Sequence, residues 1–266
     1  MNLINLQNLS TVHTSPFHNE KYFHKINVKL FQNENTSSYF IQVKGGRVRL
    51  ETFHGPYYKK LHTLFGNVIQ KREHEFEDMK EIFGNAVARS NYGEQKPQTD
   101  IQIENRIEFN AKRAFTGNPF TGFAVIDNRT NKIIGFVSLE AGYEPGESQS
   151  VLTLNQDYQK KDYGKEVALL TGALAHIYFL NKFEVGPKNN KAIVKRFTAT
   201  CADSNIPLIN FVKKLGMHFM RPLKINEVYF DKLSSLYGIN SEDVEENLKK
   251  FILLKNINWE VLKSSN

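Results

Sequence analysis

Alternating hydrophobic and polar residues predict β-strands in the first part of the chain. The alternation runs through the segments KINVKLF, SSYFIQV and RVRLETF, and Gly45-Gly46 gives the last two the spacing of a tight hairpin. Residues 1–20 are polar and lack such a pattern, so they are predicted to be loosely ordered. Hydrophobic residues then recur at the spacing of two helices: Leu61, Leu64, Phe65 and Val68, followed by Phe76, Met79, Ile82 and Phe83.

The middle of the chain alternates between predicted strands and predicted helices. Asp100 can cap a helix that ends near Gly117. The segment FAVIDNRTNKIIGFVSLE predicts two strands around a polar turn, and SQSVLTLN predicts a third. A helix follows, because four hydrophobic residues form one stripe at helical spacing: Val167, Leu170, Leu174 and Ile177.

The C-terminal third continues this alternation. AIVKRFTAT alternates like a strand, Asn205 can cap a short helix that ends at Gly216, and MHFM predicts a last strand. Two amphipathic helices are predicted after it, roughly at 225–237 and 242–255, with Gly238 between them. Strands and helices interleaved in this way predict a mixed α/β fold rather than a sandwich or a helix bundle.

Composition and charge exclude several classes of protein. The chain has 266 residues and a net charge of +7, but no run of five lysines or arginines, which disfavours nucleic acid as a partner. Its one cysteine, Cys201, can form no intramolecular disulfide, and the eight histidines lack paired metal-ligand spacing. We find no signal peptide and no stretch of about 20 apolar residues that could span a membrane. We therefore expect a cytoplasmic, metal-free protein without a membrane span, as a monomer or homodimer.

The segment NQDYQKKDYGKEVALL enters a predicted helix through lysines and a glycine. Amide groups in the first turn of a helix lack intrahelical partners and carry partial positive charge, so they can bind an anion such as a pyrophosphate. Gly164 has no Cβ and would let the anion approach closely. The alternative is that Asp162 caps the helix and the nearby lysines are only solvated. Three lysines surround the turn: Lys160, Lys161 and Lys165.

Two segments of the chain resemble motifs of a known family. QKKDYG, from Gln159 to Gly164, is similar to the Q/R-x-x-G-x-G/A phosphate loop of the GNAT superfamily of N-acetyltransferases, with Asp162 in place of the first glycine. YGKE resembles a run in the branch that acetylates ribosomal-protein N-termini (RimJ/RimL type). ATCADSNIPLINFVKKLGM resembles the family's later strand, asparagine and short helix, with four positions in register: Asn205, Lys214, Gly216 and Met217.

This resemblance covers roughly residues 47–221 and implies a GNAT-type fold. Such a fold has a mixed, mostly antiparallel twisted sheet with a central pair of parallel, splayed strands and helices on both faces. We expect residues 1–45 to form an N-terminal extension with strands and 46–222 to form the acetyltransferase domain. Residues 223–266 are then expected to be a C-terminal helical extension packed on the same domain.

The resemblance also implies acetyl-CoA as the co-substrate. Its pantetheine arm would pair with the strand at Val151–Asn155 through Leu152 and Leu154, and Asn205 would reach the arm from the other side. Capping its own helix is the alternative role of Asn205. The pyrophosphate would bind along the loop and the first helical turn: Gln159, Lys160, Lys161, Asp162, Tyr163, Gly164 and Lys165.

Acetyl transfer to an amine needs a base, a polarised thioester carbonyl and a proton for the leaving thiolate. Glu140, at the end of IIGFVSLE, is the predicted base, and a surface glutamate at the end of a strand is the alternative. Many relatives carry an acidic tyrosine where this chain has Val212, so Ser204 or a water is the candidate proton donor. The amide of Leu154 is a candidate to polarise the carbonyl.

The sequence leaves the amine acceptor open. A protein N-terminus, a polyamine, an aminoglycoside-type antibiotic and a lysine side chain are all compatible with it. The alternative function is a catalytically weak protein of the same fold that acts as a protein-interaction module. The aspartate at position 162 and the missing tyrosine motivate this alternative.

Overall fold

The computed structural model describes residues 26–85, 96–187, 190–224, 233–251 and 257–264. The N-terminal residues predicted to be loosely ordered lie outside this part of the chain, as do residues 225–232. The strands within it are β1 (Ile26–Asn33), β2 (Tyr39–Lys44), β3 (Val48–Thr52), β4 (Gly122–Asp127), β5 (Ile133–Ala141), β6 (Glu147–Leu154), β7 (Glu184–Val185), β8 (Ala192–Ile193), β9 (Arg196–Ala202), β10 (His218–Pro222), β11 (Ser234–Asn240) and β12 (Ile257–Ser264). The α-helices are α1 (Tyr58–Phe65), α2 (Glu75–Phe83), α3 (Asp100–Phe115), α4 (Tyr163–Leu180), α5 (Ile206–Lys214) and α6 (Ser241–Phe251), and short 3₁₀ turns span Gly55–Tyr57, Gly66–Val68 and Gln156–Tyr158.

Ten of these strands form one sheet in the order β10-β11-β9-β6-β5-β4-β3-β2-β1-β12, and β7 pairs with β8 separately. Neighbours in the large sheet are antiparallel except for β6–β9 and β1–β12, which are parallel. A parallel pair needs a crossover connection, and α4 supplies the one between β6 and β9. The predicted fold class, a mostly antiparallel mixed sheet with a central parallel pair, is therefore confirmed.

Helices cover both faces of the sheet. The predicted hydrophobic stripe of α4 is fully buried against one face, where strand residues such as Val125 and Leu139 meet it. Helices α2 and α3 pack on the opposite face, around Phe53 and Phe136. Side chains alternate along a strand, so Phe136 faces α2 and α3 whereas its neighbour Val137 faces α4. Of the helices that the structure describes, none is long and apolar enough to cross a membrane.

One of the two predicted C-terminal helices is wrong. Within the predicted helix 225–237, the residues from Ser234 onward belong to strand β11, which pairs with β10 on one side and β9 on the other. Gly238 lies inside this strand rather than between two helices. The strand is buried from Ser235 to Ile239, so pairing on both edges overrides the local helical pattern. The second predicted helix is confirmed as α6 over its described residues.

Two smaller features of the chain also differ from expectation. Thr99, not Asp100, caps α3, because its hydroxyl accepts from the amide of Gln102 while the Gln102 side chain accepts from the amide of Thr99. Strand β12, for which the sequence pattern made no prediction, pairs in parallel with β1 at the edge of the sheet.

Candidate functional site

Strands β6 and β9 run side by side for a short distance and then separate. Glu147–Ser150 pairs with Arg196–Ala199, and beyond these residues β6 keeps only its pairing with β5 and β9 keeps only its pairing with β11. Among the described strands, none fills the space between their carboxyl ends. The two strands therefore form a cleft whose vertex lies at Ser150, and ligands of open α/β sheets bind outside such carboxyl ends.

Two backbone groups of β6 face this cleft. Asn155 donates its amide to the carbonyl of Ile134, over 2.8 Å, on the β5 side. Successive amides of a strand point in opposite directions, so those of Leu152 and Leu154 point away from β5 and towards β9. The structure thus places the two predicted pantetheine contacts on the open edge of β6.

The loop between β6 and α4 turns through two residues in the left-handed region. Lys160 has φ of 58° and Asp162 has φ of 61°. Asp162 is the N-cap residue of α4, but its carboxylate makes no capping hydrogen bond and instead pairs with Lys165, with Oδ1 2.6 Å from Nζ. The alternative in which the aspartate caps its own helix is therefore not what the structure shows, and the carboxylate charge is partly offset by its neighbour.

Gly164, in the first turn of α4, is not required by the protein's own packing. A Cβ built on it would meet one atom within 4 Å, Cδ1 of Leu154 at 3.7 Å, which is an ordinary contact. Its φ lies outside the left-handed range that favours glycine, so backbone geometry does not demand a glycine either. The space beside its Cα is therefore open enough for another molecule to approach closely.

Arg47, which the sequence analysis missed, joins this loop to the turn between β2 and β3. Its Nε donates to Oε2 of Glu166 over 3.0 Å and its Nη1 donates to the carbonyl of Lys161 over 3.1 Å. The guanidinium also lies over the ring of Tyr163, 4.4 Å from its centre. Inside the loop, the Gln159 side chain donates to the carbonyl of Leu154 over 2.9 Å. These contacts hold the loop against the sheet from both sides.

The predicted base lies near the vertex, on the face that α2 and α3 cover. Glu140 is half-buried and follows Phe136 and Ser138 on that face of β5. Its cross-strand partner is Gln149, whose Nε2 donates to Oγ1 of Thr200 over 2.7 Å. This bond bridges β6 and β9 next to the vertex, and the sequence pattern carried no signal for it because the two residues are 51 apart.

The turn before α5 carries the other two predicted side chains. Asn205 caps α5, with its Oδ1 accepting from the amide of Leu208 over 3.2 Å, as the alternative role predicted. Ser204 is exposed on the same turn. Val212, where relatives carry the tyrosine, lies with Ile209 on the buried face of α5 and contributes no proton donor.

The single cysteine is buried under α5 and is chemically inert. Burial first, and the Asp203 carboxylate second, raise the pKa of the Cys201 thiol to about 12. A thiol with that pKa is not a nucleophile at neutral pH. Across the part of the chain that the structure describes, no three His, Cys, Asp or Glu side chains group closely enough to hold a metal ion.

Comparisons with known proteins agree with this geometry. A family model described as "Acetyltransferase (GNAT) domain" matches residues 69–218, more than half of the chain. No curated protein matches the chain in sequence.

Three solved structures illustrate the similarity of fold. An acetyltransferase of the GNAT family from Bacillus anthracis shares 19% identity over 76% of this chain and 99% of its own, with a TM-score of 0.53. A GCN5-related N-acetyltransferase from Brucella melitensis shares 14% over 77% and 81%, with a TM-score of 0.52. Spermidine N-acetyltransferase from Vibrio cholerae, solved with CoA and spermine, shares 14% over 66% and 95%, with a TM-score of 0.51.

Proposed function

Because this chain belongs to the acetyltransferase (GNAT) family, we propose that it transfers the acetyl group of acetyl-CoA directly to a primary amine in a ternary complex. The observation that carries the proposal is the cleft between β6 and β9, which opens towards the N-terminus of α4. The cleft offers a strand edge with unpaired amides, followed by a glycine-containing loop and a helix N-terminus. These features suit an extended molecule with a pyrophosphate at one end.

The coenzyme is proposed to lie along this cleft with its pyrophosphate at the loop. Amides of residues 160–165 would bind the phosphates, and the exposed lysines of the loop would add charge. The pantetheine arm would run past Leu154 and Leu152 towards the vertex, with Asn205 on the opposite side. Among the described residues the Nδ2 atom of Asn205 donates no hydrogen bond, so it is available to the arm.

The thioester lies at the far end of pantetheine from the pyrophosphate, which favours Leu152 as the carbonyl-polarising amide. Leu152 is the first residue beyond the vertex whose amide faces the cleft. Leu154 is close to the loop, since its carbonyl accepts from Gln159. We therefore assign the oxyanion-type donor to Leu152 and keep Leu154 as a pantetheine contact.

In the proposed reaction Glu140 removes a proton from the ammonium form of the acceptor, directly or through water. The free amine attacks the thioester carbon, a C–N bond forms, the C–S bond breaks, and the nitrogen releases its second proton to solvent. The leaving thiolate takes a proton from water or from Ser204, which lies on the exposed turn before α5. The N-terminal amine of a protein, as in the RimJ/RimL branch, and a small-molecule amine are both acceptors of the required chemistry.

Calorimetry with acetyl-CoA and an assay of thiol release test this function. Saturable binding that the Gly164→Val variant loses would support the enzyme, because the extra side chain would occupy the space left for the phosphates. An unchanged thermal unfolding temperature of the variant would show that the fold is intact. No binding at millimolar acetyl-CoA would instead favour the interaction module.

We also propose a cytoplasmic location, on the ground that the single cysteine, Cys201, is a buried free thiol.

A further inference from the structure

Arg113, on the inner side of α3, carries a guanidinium whose Nε is buried without a hydrogen-bond partner. The guanidinium carbon lies 5.3 Å from the centre of the Phe109 ring. Burial lowers the pKa of Arg113, and the charge of Glu140 acts in the opposite direction. Burying a charge without a hydrogen-bonded partner costs free energy. Binding of an anion beside the Arg113 guanidinium would therefore be favourable.

The packing of α3 places Arg113 beside the end of β5. One turn earlier on the helix, Asn110 accepts from the amide of Gly122, over 2.6 Å. Gly122 is the cross-strand partner of Ser138, and Glu140 lies two residues further along the same face of β5. Arg113 and Glu140 are thus near neighbours. Within the part of the chain that the structure describes, no direct ion pair joins them, so a gap separates the two groups.

This gap lies next to the vertex of the cleft. Glu140 pairs across the sheet with Gln149, and Gln149 binds Thr200 on β9. The face that α3 covers therefore carries three positions in order: the Arg113 cation, the Glu140 carboxylate and the expected position of the thioester. An acceptor that reaches the thioester from this face would pass between Arg113 and Glu140.

We propose that Arg113 binds an anionic group of the acceptor, so that the enzyme acetylates an amine that also carries a carboxylate or a phosphate. The inference rests on the proposed function and specifies its acceptor class. The planar guanidinium would bind the anion while Glu140 accepts the proton of the ammonium group a few bonds away. Nitrogen then forms its bond to the acetyl carbon as the C–S bond breaks, the nitrogen releases its second proton to solvent, and the thiolate is protonated by solvent.

The same arrangement disfavours polyamines and other acceptors with several positive charges. A second ammonium group of such an acceptor would lie against the unpartnered guanidinium, and like charges at close range repel. An acidic amino acid, an N-terminal peptide with an acidic side chain and an amino-phosphate all present the required pair of groups. They differ in source but share the chemistry that Arg113 and Glu140 would recognise.

Matched pairs of acceptors test the proposal through kcat/KM for thiol release. Phenylalanine against phenylalaninamide probes a free carboxylate, Asp-Ala-Ala-amide against Asn-Ala-Ala-amide probes a peptide, and phosphoserine against serine probes a phosphate. The carboxamide of phenylalaninamide lowers the pKa of its amine, so preference for its acid partner cannot come from easier deprotonation. The wild type is expected to prefer the anionic member of at least one pair by about 10-fold or more.

Variants of α3 assign that preference to one side chain. Arg113→Gln is expected to remove it, lowering kcat/KM for the anionic member about 10- to 100-fold while the neutral member changes little. Arg113→Lys should retain part of it because the charge remains. Lys112→Gln, which removes an exposed charge one residue away, is the matched control and should leave the preference intact. Unchanged affinity for acetyl-CoA would show that each variant is folded.

Several outcomes would overturn the inference. Equal use of both members of every pair by the wild type would do so without any variant, as would turnover confined to neutral or cationic amines. A preference that survives Arg113→Gln, or that Lys112→Gln removes equally, would assign it elsewhere. Failure to bind acetyl-CoA at all would refute the proposed function itself, whereas binding without turnover of any anionic acceptor would refute the acceptor assignment.

Discussion

The Arg47 side chain donates to the buried carboxylate of Glu166 over 3.0 Å, and the backbone amide of Arg47 donates to the same carboxylate over 2.8 Å. This pair connects the β2–β3 turn to the first turn of α4, across 119 residues of sequence. Glu166 is only 1% exposed, so these donors, rather than water, stabilise its negative charge. The local sequence around this glutamate gives no sign of the pairing, which anchors the candidate coenzyme loop to the sheet.

Replacing Arg47 with Gln is expected to weaken coenzyme binding through the loop. The variant loses the guanidinium bonds to Glu166 and to the carbonyl of Lys161 but keeps the backbone bond to Glu166, so the loop would have to be ordered when the pyrophosphate binds. We expect the KM for acetyl-CoA to rise about 10-fold with a smaller change in kcat, and stability to fall by about 1–3 kcal/mol. Acetyl-pantetheine, which lacks the pyrophosphate, should be used as well as before. A matching loss with acetyl-pantetheine would contradict the prediction, and the exposed Arg129→Gln is the control.

Gly164→Ala should separate coenzyme binding from stability. The added methyl group has room against Leu154, and alanine favours a helix over glycine by up to about 1 kcal/mol, so the unfolding temperature should stay the same or rise. Affinity for acetyl-CoA should nevertheless fall, because the methyl group occupies the side from which the phosphates approach. Calorimetry and thermal unfolding on one sample measure both quantities. Unchanged affinity would mean that no ligand approaches this glycine.

Asp162→Gly restores the glycine that the GNAT phosphate loop carries at this position. Asp162 has φ of 61°, which glycine adopts without strain, and its carboxylate would lie close to the bound phosphates. Removing one charge at about 5 Å is worth about 1 kcal/mol or more, so acetyl-CoA affinity should increase about 5-fold or more. Asp157→Gly, at an exposed position outside the motif, is the control. A weaker coenzyme affinity in the Asp162 variant would show that the Asp162–Lys165 pair supports the loop.

Glu140→Gln should lower turnover and leave acetyl-CoA affinity nearly unchanged. The amide cannot accept the proton of the ammonium group, and loss of a general base typically costs 10²- to 10⁴-fold, so a fall of about 100-fold or more is expected. A pH–rate profile on the best acceptor provides the measurement. The exposed Glu144→Gln is the matched control on the following loop. Equal turnover of Glu140→Gln and wild type at every pH would exclude this residue from the mechanism.

His54 is expected to make the fold sensitive to acid. The side chain is 2% exposed between the rings of Phe40 and Tyr58, and neither ring nitrogen has a hydrogen-bond partner. Burial first, and the charge of Arg72 second, lower the pKa of His54 from 6.5 to about 2. The unfolded chain takes up a proton below pH 6.5 and the folded chain does not. His54 therefore leaves the free energy of unfolding unchanged above pH 6.5 and lowers it progressively as the pH falls from 6.5 towards 2.

Urea unfolding at pH 7.5 and pH 5.0 measures this effect. The free energy of unfolding should fall by about 2 kcal/mol from this residue alone, because each pH unit below 6.5 costs about 1.4 kcal/mol. His54→Phe should reduce the difference between the two pH values, whereas the exposed His62→Gln should not. Arg72, whose charge acts on His54, lies beside the carboxylates of Glu51 and Glu75. The same pH difference in His54→Phe and wild type would assign the sensitivity elsewhere.

The parts of this protein that short-range patterns determine were available from the sequence. Alternation and short apolar runs predicted β1 to β6, helical spacing predicted the stripe of α4, and the asparagine at 205 was recognised as a cap. The coenzyme loop was recognisable because its glycine, lysines and following helix are contiguous. Each of these features depends on residues a few positions apart, where backbone sterics and hydrogen bonding act directly.

Only the tertiary structure decided the features that join distant segments. Residues 234–237 of β11 were predicted to be helical, and burial between β9 and β10 makes them part of a strand. The sequence left open whether the Asp162 carboxylate caps α4, and its pairing with Lys165 settled the point. The Arg47–Glu166 pair and the approach of Arg113 to Glu140 have no local signature at all. They depend on the order of strands in the sheet, and that order is set by the collective burial of many side chains rather than by any one stretch of chain.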